Sequence, residues 1–275
     1  MIKKPLVSVV IPVYNTGSTM DETINSVLKQ SYKNIEIIVV NDGSTDNQTI
    51  EKLNKLDKNI RIINQINKGL PAARNAGIAS SCGEYIVCLD SDDCINKKYV
   101  KKVVDKFEVI SSEKVAIISS YIQAFGVSSE QWETPESGID KLKYSNVLPV
   151  ASAFTKKSWE LVGGYDESFN KGFEDWDFWL SIIEKGFSWA LVKEPLFYYR
   201  RKKVSMITSS NESRQEINSK IISKHDTLYS GEDKKLVLDK MQKAELNRNN
   251  PTVSSALRFK KILSKNFLKR FRIFR

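Results

Sequence analysis

Through the first half of the chain, short apolar runs alternate with longer amphipathic stretches, the pattern of a parallel sheet covered by helices. The runs predict strands at Val7–Val13, Glu36–Asn41, Ile60–Ile63, Tyr85–Leu89 and Val115–Tyr121. Helical spacing between them predicts helices at Asp21–Gln30, Thr49–Leu56, Pro71–Ser81 and Lys97–Ile110, the third with proline in its first turn. Residues 126–146 are polar and irregular, with Gly126, Pro135 and Gly138, and read as a mobile segment over or beside a site. Strand character resumes at Val150–Phe154. Helices follow at Lys156–Val162 and Phe173–Lys185, and short strands at Trp189–Leu191 and Leu196–Arg200. The α/β body is expected to span 1–205, with a helical extension over 206–275 broken at Asn249-Asn250-Pro251.

Composition adds little to this pattern except at the carboxyl end. With 41% hydrophobic and 28% charged residues among 275, the chain has the apolar material for a core. Its three cysteines, Cys82, Cys88 and Cys94, form no CxxC pair, which argues against a disulfide framework or a thiolate zinc site and for a reducing compartment. No apolar run approaches the roughly 18 residues that span a bilayer. The first of them, after Lys3 and Lys4, reads as a buried strand and not a secretory signal. Net charge is +10, but eight of the 43 basic side chains lie in residues 254–275, which hold no acid. The rest of the chain has 35 basic against 33 acidic groups, so no nucleic-acid-binding body is expected. As a helix, 254–275 would gather Ala256, Phe259, Leu263, Phe267, Phe271 and Phe274 on one face and most cations on the other, with Lys260 and Arg270 intruding. That pattern suits an anionic membrane surface, or packing on protein.

In open parallel sheets, ligands bind beyond the carboxyl ends of the strands, and candidate chemistry is concentrated there. The first strand runs into Pro12, Tyr14 and Asn15, and the second ends at Asp42-Gly43, where a carboxylate can accept from a nucleobase or a ribose hydroxyl. Read more simply, Asp42-Gly43 is a turn, with Ser44 or Thr45 capping the next helix. The first loop, PVYNTGSTM, is neither a dinucleotide glycine fingerprint nor a P-loop, so phosphate needs another device. Asp90-Ser91-Asp92-Asp93 ends the apolar strand at 85–89, and carboxylates so placed must be solvated or hold a cation such as Mg²⁺ or Mn²⁺. A turn and helix cap is the plainer alternative. Arg74 and Asn75 offer polar groups from a helix rich in alanine, toward a base or phosphate or in a structural ion pair. Further on, Glu174 and Asp175 open a helix that also carries Trp176 and Trp179. Acids there suit the helix dipole, while acids flanked by aromatic rings suit a sugar, the rings stacking on the pyranose and the carboxylate taking a hydroxyl proton.

Taken together, VSVVIPVYN, ETINSVLKQSYKNIEIIVVNDGSTD, NKGLPAARNAGIASSCGEYIVCLDSDD, VGGYDE and GFEDWDFWLSIIEKGF resemble family 2 glycosyltransferases, over about residues 5–205. The resemblance implies a GT-A fold, an α/β nucleotide-sugar-binding architecture with a mostly parallel central sheet flanked by helices. It also implies inverting transfer of a sugar from a nucleotide-sugar, a UDP-sugar, to a hydroxyl of a saccharide or lipid-linked saccharide acceptor, in bacterial surface polysaccharide synthesis. Asp42 then matches the base- or ribose-binding acid, with Pro12 and Tyr14 lining the nucleoside pocket and Arg74 nearby. Asp90-Ser91-Asp92 matches a DxD motif, Asp92 as the direct ligand of Mn²⁺ or Mg²⁺ and Asp90 on nucleotide or metal. Asp175 matches the general base and Glu174 its neighbour. Many relatives carry a histidine after the Tyr-Arg of the last strand. Here that segment reads Tyr199-Arg200-Arg201-Lys202-Lys203, so Lys202 or Lys203 is a candidate to neutralise diphosphate charge instead. The expected location is cytoplasmic, peripheral on the inner face of the membrane. A non-catalytic nucleotide-sugar-binding module, or a binder of nucleic acid or anionic surfaces driven by the tail, is the competing reading.

Overall fold

A computed structural model describes residues 4–110, 112–136, 138–202 and 214–249. The chain divides into two compact units, Met1–Ile217 and Asn218–Arg275. The candidate tail at 254–275 and Lys203 lie outside the described residues. Among the described residues, no helix is long and apolar enough to cross a membrane.

The first unit is built on one nine-stranded mixed sheet in the order β3-β2-β1-β4-β8-β6-β9-β5, with β7 paired to β6. Its first half is β1 (Val7–Val13), α1 (Met20–Leu28), β2 (Ile35–Asp42), α2 (Asn47–Asn54), β3 (Arg61–Gln65), α3 (Leu70–Ser80) and β4 (Tyr85–Cys88). β1, β2, β3 and β4 run parallel. Val9, Val10, Ile11, Ile38, Val39, Val40, Ile86 and Val87 are buried at their centres, so these strands read as continuous apolar runs and not as alternating ones. Parallel pairing leaves the carboxyl ends of β1, β2 and β4 along one edge, where the chemistry gathers.

The second half comprises β5 (Cys94–Ile95), α4 (Tyr99–Ile110), β6 (Val115–Gly126), β7 (Gln131–Trp132), α5 (Ile139–Tyr144), β8 (Ala153–Thr155), α6 (Lys156–Val162), α7 (Glu174–Glu184) and β9 (Ser188–Arg201). β8 joins the two halves, antiparallel to both β4 and β6. Helices α8 (Arg214–Lys224) and α9 (Lys234–Asn249), with a short 3₁₀ turn at Asp226–Tyr229, complete the described chain.

Three elements differ from the sequence expectation. The two short strands expected around Pro195 are one strand, β9, which passes Pro195 opposite Tyr121 where the β6–β9 register shifts. β5 is a strand of two residues, too short to leave a pattern, yet it sets Cys94 against Tyr198 and so brings the acidic run beside the end of β9. Residues 126–146 contain β7 and α5, and Leu142 of α5 is fully buried.

Helix α3 lies close on the sheet because its inward face is small. A Cβ built on Gly77 would sit 2.4 Å from Val10 Cγ1 and 3.0 Å from Val40 Cγ2. In an exposed helix, glycine to alanine gains about 1 kcal/mol. Here overpacking reverses the sign, and Gly77→Ala is expected to destabilise the protein by about 1–3 kcal/mol in urea unfolding.

Candidate active site

The loops that follow β1 and β2 are tied together at the amino-terminal end of the site. Asn15, held at φ 53°, accepts through Oδ1 from the amides of Thr45 and Asp46, and its own amide donates to Ser44 Oγ. Asp46 caps α2, accepting from Thr49 N at 2.8 Å. Asp42 is buried, and its carboxylate gathers the loop before α3: Oδ1 accepts from Gln65 Nε2 (2.7 Å) and Lys68 N (2.9 Å), Oδ2 from Gly69 N (2.9 Å). Gly43, at φ 72°, leads the chain out of β2, a Cβ there would lie 2.7 Å from Asn67 N, and the cap of α2 is Asp46 and not Ser44 or Thr45. Pro12 is buried in β1, whereas Tyr14 is 48% exposed.

The acidic run after β4 splits into different roles. Asp90 and Asp92 are each partly exposed. Ser91 is buried, its hydroxyl 2.8 Å from that of Thr16 and its carbonyl accepting from Thr19 Oγ1, so it braces the loop after β1. Asp93 turns inward and accepts from the Arg200 amide at 2.7 Å. Burial, reinforced by Asp92 and Asp90, pushes its carboxyl well above the ordinary carboxylate range. The end of β9 faces this run. Arg200 is committed, with Nε on the Asp92 carbonyl (2.7 Å) and Nη2 on Glu22, while Lys202 Nζ lies 2.6 Å from Asp92 Oδ2.

Arg74 joins the two halves of the site. Its side chain is 1% exposed, with Nη2 on Asp90 Oδ1 at 2.7 Å and Nη1 on Glu174 Oε1. Burial opposes its charge, but Asp90 and Glu174 outweigh that and hold the guanidinium protonated well beyond its usual range. Tyr165 lies beneath the guanidinium, 5.5 Å from ring centroid to Cζ, and stacks on Phe178. The next residue, Asn75, fastens the Gly163–Glu167 turn: Oδ1 accepts from Tyr165 N (2.8 Å) and Trp159 Nε1 (3.1 Å), and Nδ2 donates to Tyr165 O (2.8 Å). Gly164 is required there, at φ 85° and with space for a Cβ closed by Asn75 Oδ1 at 2.7 Å.

Asp175 follows Glu174 in the first turn of α7, which begins after Phe173 at a left-handed φ of 66°. Burial and the neighbouring Glu174 push its carboxyl up to about 6, against the lowering effect of Arg74 and of hydrogen bonds from Asn146 and Trp176. A group so poised is charged at neutral pH yet can take a proton. The aromatic neighbours differ from expectation. Trp176 and Trp179 are 2% and 0% exposed, and Trp176 Nε1 donates to Leu142 O, so both rings are core and present no stacking face. Arg74 spends Nη1 on Glu174 and Nη2 on Asp90, the structural ion pair that is its alternative reading.

A family model, glycosyl transferase family 2, matches residues 8–159. The chain belongs to this family of glycosyltransferases. An uncharacterized glycosyltransferase of Haemophilus influenzae is 28% identical over 243 residues, covering 82% of this chain and 74% of its own. The chondroitin synthase of Pasteurella multocida is 31% identical over 189 residues, 66% of this chain but only 19% of the synthase. The crystal structure of S. aureus TarS 1–349 in complex with UDP-GlcNAc superposes with a TM-score of 0.71 at 19% identity, over 89% of this enzyme and 74% of that chain, and shows the same GT-A fold.

Asp42 and the acidic run at 90–93 stand at the carboxyl ends of β2 and β4, and Arg74 ties Glu174 of α7 to Asp90. Gln65, Lys68 and Gly69 as partners of Asp42, and Asn146 as partner of Asp175, are not legible in the sequence; Gln65 ends β3, Lys68 and Gly69 lie in the plain loop after it, and Asn146 lies in a polar segment without periodicity. Removing one partner of a buried ion pair strands the others. Arg74→Met is expected to cost about 3–5 kcal/mol in denaturant unfolding, whereas Lys102→Ala, which breaks the exposed pair with Glu194, costs under about 1 kcal/mol.

Proposed function

We propose that this glycosyltransferase moves a hexose from a UDP-sugar to a hydroxyl of a saccharide or lipid-linked saccharide, inverting the anomeric centre, in the building of a surface polysaccharide. The observation that carries the reading is that a single buried guanidinium bridges Asp90 after β4 and Glu174, the residue before Asp175, on α7. A donor diphosphate held at Asp90 and Asp92 and an acceptor hydroxyl at Asp175 would thereby share one rigid frame. The UDP-GlcNAc bound to TarS and the polymer named for the Pasteurella synthase support the donor and product classes.

In this mechanism Asp42 accepts from the base or ribose beside Pro12 and Tyr14. Asp175 accepts the proton of the acceptor hydroxyl. The hydroxyl oxygen forms a bond to the anomeric carbon on the face opposite the diphosphate, and the bond from that carbon to the diphosphate oxygen breaks, its electron pair leaving with UDP. An α-linked donor gives a β-linked product.

Asp92 and Asp90 fit a divalent cation of the Mg²⁺ or Mn²⁺ type, since such ions take one or two carboxylates and complete their shell with phosphate oxygens and water. Both side chains are partly exposed, and no larger cluster of His, Cys, Asp and Glu converges among the described residues. When bound, the ion would neutralise charge on the leaving diphosphate. Lys202, already on Asp92, is a resident cation for part of the same task.

Calorimetric titration of UDP, GDP and dTDP tests the donor side. UDP is expected to bind selectively, more tightly with Mn²⁺, and Asp92→Ala to lose at least about tenfold in affinity, about 1.4 kcal/mol. In EDTA, Lys202→Ala should weaken the remaining UDP binding. Failure of every nucleotide to bind would contradict the donor assignment and favour a site without turnover.

On the acceptor side, Asp175→Asn should slow transfer by about 10²–10⁴-fold while leaving UDP affinity intact. Protonated Asp175 cannot accept a proton, so the wild-type rate should fall as pH drops through about 6. A pH-independent rate between 5 and 8, or full activity in Asp175→Asn, would remove Asp175 from this role.

A further inference from the structure

The segment from α5 to β8 docks on the first turn of α7 at the site itself. Leu142 is buried and its carbonyl accepts from Trp176 Nε1 at 2.6 Å. Four residues later, Asn146 Nδ2 donates to Asp175 Oδ2 at 2.9 Å. The other carboxylate oxygen, Oδ1, accepts from the Trp176 amide at 2.8 Å. Each oxygen is thus held by one donor and keeps a second lone pair for an incoming hydroxyl.

We propose that Asn146 is a positioning residue for the transfer reaction, orienting the Asp175 carboxylate for proton abstraction and tying the 139–146 segment to the catalytic helix. The inference rests on Asp175 being the base. A neutral amide suits the task better than a cation would. It fixes the carboxylate through a hydrogen bond without the strong attraction that would make the group too weak a base.

The charged and titratable groups around Asp175 define what Asn146 adds. Glu174 on the same helix disfavours the charged carboxylate, and Arg74 from α3 favours it. The Tyr165 hydroxyl approaches from the turn between α6 and α7 and is itself kept neutral, chiefly by burial. A hydrogen bond to the charged form favours ionisation, so losing the Asn146 amide must raise the pH at which Asp175 takes up its proton. An aspartate at position 146 has the same shape but adds a negative charge, and must raise it further.

The test is ¹³C NMR of the protein labelled in its aspartate carboxyl groups, with the Asp175 signal assigned by its loss in Asp175→Asn. The wild-type midpoint is expected near 6. It should move up by about one pH unit in Asn146→Ala, and at least as far in Asn146→Asp, which preserves the packing. The acidic limb of kcat/KM should move with it, transfer recovering at high pH. A residue that only packs would lower the rate equally at every pH. Midpoints unchanged in both variants, with Asp175→Asn inactive, would overturn the role of Asn146 and leave the base in place. Full transfer by Asp175→Asn would overturn both.

Discussion

The structure depends on a buried positive charge that must never lose its partners. Arg74 is enclosed by α3, the end of β4 and the start of α7, and its protonation is sustained by Asp90 on one side and Glu174 on the other. A lone guanidinium in that place would cost several kcal/mol. Strand β4 and helix α7, far apart in sequence, are therefore held at a fixed separation by electrostatics, while Asn75, the next residue, clamps the turn that leads toward α7. In this account the same ion pairs that stabilise the fold also set the distance between leaving group and base.

The surrounding polar groups divide into those already spent and those still available. Ser91 and Arg200 are bonded within the protein and shape the loops, while Asp93 accepts from the Arg200 amide through one oxygen and its buried Oδ2 has no partner among the described residues. Asp42, held by two backbone amides and Gln65, carries a single donor on Oδ2 and can take another. Asp90, Asp92, Lys202, Tyr14 and Asp175 retain access to solvent. The acidic run at 90–93 thus contributes unequal acids. Asp93 is the one whose burial makes it a structural acceptor, although in sequence it is indistinguishable from Asp92.

Much of the fold was legible because central parallel strands are apolar on both faces. β1 and α6 lie where the apolar pattern places them, and α3 begins at its proline within one residue. β9 was less legible, since Pro195 interrupts its pattern where β9 bulges, its residues between Val192 and Phe197 outnumbering those they face on β6. β5 has only two residues, and no periodicity can reveal it. The acids of the site were visible as motifs, but their partners were not. Trp176 and Trp179 look in sequence like a sugar platform because a buried ring and a stacking ring share the same letter; burial decides, and both rings belong to the core. Asn146 lies in a segment whose polar composition conceals that it docks on α7 through one carbonyl and one amide.

The central claim, that Arg74 holds a donor site and a base on opposite sides of one reaction centre, is tested most directly by a crystal structure with an unreacted UDP-sugar bound. The account predicts the diphosphate beside Asp90 and Asp92, the nucleoside against Asp42 and Tyr14, and Asp175 facing the anomeric carbon from the side away from the diphosphate. A nucleotide bound elsewhere, or Asp175 on the same side as the diphosphate, would contradict it.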